Sequence, residues 1–140
     1  MTDTPVSVFV SVRLDQGTIP LRPHATVTGS LDFEGLGAIV ALPDALTIEG
    51  DLLLRGTSIE ALPPFLTVRG RIDLEGCKSL TTLSENLNVG GDLDLELCHK
   101  ITNLPHNLIV GGNLYLAGTR VCAIPLMAVI RGEVYDLVRG

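Results

Sequence analysis

The segment Leu46-Thr47-Ile48-Glu49-Gly50-Asp51-Leu52-Leu53-Leu54 recurs with one skeleton along most of the chain. Val27, Ile48, Val68, Val89, Val110 and Ile130 hold the same place in successive units, at gaps of 21, 20, 21, 21 and 20 residues. So short a period dictates stacked units, because one unit of this size cannot bury its own apolar side without a neighbour.

Within a unit the apolar residues alternate, as in Leu87, Val89, Gly91, Leu93 and Leu95. Period two is the mark of extended chain with one buried side. A glycine at each of positions 29, 50, 70, 91, 112 and 132 predicts a corner, since a missing side chain lets the chain turn around a narrow core. The Leu-Pro pair that ends most units predicts a turn, because proline fixes its backbone and lacks a donor.

These units resemble leucine-rich repeats. Leu52-x-Leu54-x-x-Thr57-x-Ile59 and Leu114-x-Leu116-x-x-Thr119-x-Val121 carry threonine at the family's Asn/Cys position. Ile72-x-Leu74-x-x-Cys77-x-x-Leu80 and Leu93-x-Leu95-x-x-Cys98-x-x-Ile101 carry the cysteine variant with one added residue, which accounts for the 21-residue gaps. The resemblance spans roughly residues 21–135 and is closest to short bacterial repeats of 20 or 21 residues. It implies a mainly β leucine-rich-repeat or β-solenoid fold of about five coils, with parallel sheets and little helix. The extra Leu-x-Val strand before each glycine favours the flat β-solenoid, at roughly 4.8 Å per coil. Residues 1–20 are expected to form an N-terminal capping strand, because Val6, Val8, Val10 and Val12 alternate with Ser7, Phe9 and Ser11. Residues 21–135 form the solenoid and 136–140 a C-terminal tail, in one domain.

Apolar residues make up 46% of the chain, yet polar residues interrupt every run short of a membrane span. The N-terminus lacks the basic stretch of a secretory signal. Its three cysteines are odd in number and too few for a disulfide framework. A cytoplasmic protein is expected, with secretion by a signal-less route left open. A net charge of −6 opposes direct nucleic-acid binding.

In a stacked solenoid, equivalent outward residues form columns. Ser30, Asp51, Arg71, Asp92 and Asn113 form one with alternating charge, as do Glu34, Arg55 and Glu75, and cross-strand ion pairing explains them structurally. The middle column of Asp32, Leu53, Asp73, Asp94 and Tyr115 contains no cation, and like charges directly opposite are destabilising. Asp73, Glu75, Asp92, Asp94 and Glu96, with Tyr115, Leu53 and Asp32, are therefore the candidate partner-binding residues. The resemblance adds that the Leu-x-Leu strand face binds partners in this family. The competing reading is an acidic strip that only keeps an apolar protein soluble.

No catalytic residue and no metal site is expected, and no cofactor. The stacked carboxylates match the spacing of retaining glycosidases, but a flat solvated strand would raise neither pKa. They offer too few oxygens for Ca²⁺. Cys77 and Cys98, with His99 alongside, are read as buried turn residues rather than an incomplete zinc site. His24 and His106 are read as surface turn residues, and Cys122 as exposed. The sequence thus points to a non-enzymatic protein-interaction module. The alternatives are an acidic inhibitor or decoy of a nucleic-acid-binding protein, and a structural solenoid that assembles with itself through an exposed end strand, as a homodimer for example.

Overall fold

The computed structural model describes residues 7–8, 12–13, 24–37 and 42–136. The described residues form fourteen strands of two residues each. The odd-numbered ones are β1 (Ser7–Val8), β3 (Thr26–Val27), β5 (Thr47–Ile48), β7 (Thr67–Val68), β9 (Asn88–Val89), β11 (Ile109–Val110) and β13 (Val129–Ile130). The even-numbered ones are β2 (Val12–Arg13), β4 (Leu31–Asp32), β6 (Leu52–Leu53), β8 (Ile72–Asp73), β10 (Leu93–Asp94), β12 (Leu114–Tyr115) and β14 (Val134–Tyr135). Each set forms one seven-stranded parallel sheet in chain order, and the described residues include no helix. The expected β-solenoid is what the chain builds, with five coils between Val27 and Ile130.

Stacking makes the core. Val27, Ile48, Val68, Val89 and Val110 form one buried column, Leu31, Leu52, Ile72, Leu93 and Leu114 a second, and Phe33, Leu54, Leu74, Leu95 and Leu116 a third. Because these three columns are apolar and every strand but the end ones pairs on both sides, a coil in mid-stack has its inward side chains and strand backbone covered by its neighbours.

The corner glycines form their own ladder. Gly50, Gly70, Gly91, Gly112 and Gly132 each donate an N–H to the glycine carbonyl of the preceding coil at 2.8–3.0 Å. A Cβ on Gly70 would lie 2.7 Å from the Gly50 oxygen, so this corner admits only glycine.

The one-residue difference between coils has a local cause. Every coil turns after its Leu-x-Leu strand, as in the Thr57 N–H to Leu54 bond. The cysteine coils add a second turn, in which Leu80 bonds back to Cys77 and Ile101 to Cys98 at 3.2 Å. At the N-terminus, Ser7 pairs with Thr26 and Val12 with Leu31, so this segment supplies one strand to each sheet in the register of a coil. The remainder of the 1–20 cap and residues 137–140 of the tail lie outside the described residues.

Candidate functional site

From β4 onward the second residue of each even strand points away from the core, giving the column Asp32, Leu53, Asp73, Asp94, Tyr115 and Tyr135 in register. Three of its carboxylates first serve the backbone. Asp32, Asp73 and Asp94 accept the N–H of Glu34, Glu75 and Glu96 at 3.0, 3.0 and 2.9 Å, fixing the turn that ends each strand.

Asp73 is not the solvated, unpaired residue its column suggests. It is 1% exposed. Arg55 reaches its Oδ2 at 3.2 Å from the preceding coil, and Arg71 reaches the same oxygen at 3.6 Å from two residues upstream. The expectation that this column has no positive partner is thereby corrected at Asp73, whose partners come from the adjacent columns. A long side chain in the adjacent column reaches the diagonal neighbour as well as the residue directly opposite. Arg55 also meets Glu75, its directly opposite neighbour, at 3.3 Å. The carboxylates of Asp73 and Glu75 raise the Arg55 pKa further.

Asp94 is different. Among the described residues no cation forms an ion pair with it. Burial pushes its pKa up from 3.8 to about 6, and the charges of Glu96, Asp73 and Glu75 add to the rise against the stabilising Glu96 N–H bond. The expectation that a flat solvated strand leaves these carboxylates unperturbed fails here, because the neighbouring coils half-bury Asp94.

One oxygen each from Asp73, Glu75 and Asp94 lies within 4.8 Å of the others. These are the residues that could hold a cation, but the donor set is poor. Asp73 Oδ1 is taken by the Glu75 N–H and Oδ2 by two guanidinium groups, so little acceptor capacity remains for a metal that wants six oxygens or more.

Asp92 belongs to the corner rather than to the acidic strip. Its Oδ1 accepts the Asn113 N–H at 2.7 Å, and Asn113 in turn accepts that of Glu133 at 2.9 Å. Ser30 and Asp51 do the same one coil apart. The column read as alternating ion pairs is thus mainly a ladder of side chains bonded to the next coil's backbone, with one marginal ion pair, Arg71 to Asp51 at 4.0 Å.

Tyr115 stacks on Tyr135 with ring centroids 5.0 Å apart, and its hydroxyl accepts from Asn113 Nδ2 at 3.2 Å. Leu53 and Asp32 are partly exposed. Glu75, Asp94, Glu96 and Tyr115 are likewise partly exposed, and Tyr135 is exposed.

Cys77 and Cys98 are buried and donate to the carbonyls of Leu54 and Leu74 at 3.0 Å. Burial raises the Cys77 pKa and pushes that of Cys98 up to about 12. His99 is exposed and bonds Gly118 instead of a thiol. His24, His106 and Cys122 lie at the surface. Shallow grooves lined by Thr82, Glu85, Asn103 and Pro105 run along the Leu-Pro turns, away from the acidic strip.

Comparison with protein-family models, curated proteins and solved structures found no match. Among the described residues no helix is long and apolar enough to cross a membrane.

Proposed function

We propose that the chain is a non-enzymatic interaction module of leucine-rich-repeat type, whose even-strand face takes a basic segment of a partner protein. The observation that carries this is Asp94. It is held half-buried beside Glu96 and Glu75, and it has no arginine, whereas Asp73 on the adjacent strand has two. A partner's Lys or Arg placed there would relieve carboxylate repulsion and gain a charge-assisted hydrogen bond in a partly desolvated setting. The stacked Tyr115 and Tyr135 lie along the same face and offer an aromatic border for the aliphatic stem of such a residue.

The test is affinity capture from a lysate of the source cell, comparing the wild type with the double variant Asp94→Asn, Glu96→Arg. Asp73 is left intact because it is buried. A protein retained by the wild type alone, and released as salt rises, supports the reading. Equal capture by both forms overturns it and leaves the strip as a solubility device. If the captured protein binds nucleic acid and loses that activity in the complex, the module acts as a decoy.

A further inference from the structure

We propose that the C-terminal end of the solenoid is a self-complementary surface for a second copy of this chain, paired antiparallel about a two-fold axis through Gly132.

The hydrogen-bond pattern of the two sheets carries the inference. In the odd-strand sheet, Val129 and Arg131 donate their N–H groups to Leu108 and Val110 of the preceding coil. In a parallel ladder the N–H and C=O of one residue face the same neighbour, and successive residues alternate. The open edge there consequently presents, in order, the Ala128 carbonyl, the Ile130 N–H and the Ile130 carbonyl. The even-strand sheet runs the opposite way. Leu114 and Leu116 donate to Glu133 and Tyr135 of the following coil, so the equivalent open groups are the Val134 N–H, the Val134 carbonyl and the Asp136 N–H. Among the described residues none of these groups has a backbone partner.

Acceptor, donor, acceptor on one edge meets donor, acceptor, donor on the other. A two-fold axis at the corner brings β13 of one copy against β14 of the second, running antiparallel. Ile130 then exchanges both its bonds with the second copy's Val134, and the Ala128 carbonyl takes the Asp136 N–H. The same register places Gly132 on the axis, where no side chain keeps the backbones apart. It sets Arg131 opposite Glu133 of the other copy, twice by symmetry, and neither residue has an ion pair among the described residues of its own chain. Val129 falls opposite Tyr135.

Burial points the same way. Ile124, Ala128, Ile130 and Val134 continue the core columns but are only partly covered, and Leu126, Met127, Val129 and Tyr135 are exposed at 97%, 69%, 45% and 42%. In the register above, Ile130 and Val129 of one copy would be covered by Val134 and Tyr135 of the second, and the reverse by symmetry. A closed two-fold contact of this kind stops at two chains, whereas head-to-tail stacking would propagate into a filament.

Sedimentation velocity on the full chain over roughly 1 to 200 μM tests the proposal. A monomer–dimer equilibrium is expected. Arg131→Glu and Glu133→Arg should each weaken it by at least about 10-fold, and the double variant carrying both changes should restore it, with circular dichroism verifying that all forms are folded. A strictly monomeric wild type overturns the proposal, and this includes the case in which residues 137–140 cover the edge. Growth beyond dimers, or a dimer indifferent to both reversals, overturns it as well.

Discussion

Asp73 and Asp94 stand directly opposite each other in β8 and β10, yet both arginines within reach contact Asp73 and neither contacts Asp94. Two residues of one type in one column thus have opposite electrostatic surroundings. The folded chain holds a proton on Asp94 up to about pH 6, whereas the ordinary carboxyl value is 3.8. Stability from this group is complete below the unfolded value and is lost as pH rises through about 6. The rise from 3.8 to about 6 corresponds to at most about 3 kcal/mol, and partial exposure reduces this to about 1 kcal/mol.

Asp94→Asn keeps the acceptor for the Glu96 N–H and removes the charge. It should stabilise the protein by about 1 kcal/mol at pH 7 and by much less near pH 4. Urea unfolding of both forms at the two pH values checks this, and a less stable variant at pH 7 would contradict the electrostatic account.

The position following each Leu-x-Leu turn is left-handed, at Gly35, Gly56, Gly76 and Gly118 with φ of 72°, 69°, 75° and 80°, and in one coil it is Leu97 at 63°. A side chain costs roughly 1–2 kcal/mol in this region, and the Leu97 side chain is largely exposed. Leu97→Gly should therefore raise stability by about 0.5 to 1 kcal/mol after the entropic cost of glycine is subtracted. The thermal midpoint rises if the strain is real and falls if the leucine packs usefully.

Ser84 occupies the place that Pro43, Pro63, Pro105 and Pro125 hold in other coils. It is 2% exposed, and its Oγ has no hydrogen-bond partner. Ser84→Pro removes a buried unsatisfied hydroxyl and restricts the unfolded chain. A gain of about 1 kcal/mol is expected in denaturant unfolding. A loss would mean that the Ser84 backbone departs from that of its proline-bearing equivalents.

Gly70→Ala should cost about 2 kcal/mol or more, because its Cβ would press on the Gly50 backbone, which is itself fixed in the corner ladder. Chemical denaturation of this variant beside Gly76→Ala separates crowding from backbone strain, since a Cβ at Gly76 meets nothing within 4 Å.

Thiol labelling should divide the cysteines. Cys122 is exposed, while Cys77 and Cys98 are buried with raised pKa values. At pH 8 Cys122 should react fast and the other two only on unfolding. Rapid native-state labelling of Cys98 would show that the core opens there.

The repeat period, the alternation of Leu87, Val89, Leu93 and Leu95, and the glycine at every corner determined the solenoid from the sequence alone, because each coil states the same local rule independently. Even the added residue of the cysteine coils was legible as a length difference. The charges were not. Reading down columns set Asp73 against Asp94 but could not show that Arg55 and Arg71 lean diagonally onto Asp73, or that Asp92 is committed to the Asn113 backbone. Those outcomes depend on side-chain reach across neighbouring coils and on how far adjacent turns exclude water. Local spacing encodes which residues share a face. Only the stacked structure decides which carboxylate receives the cations and which receives none.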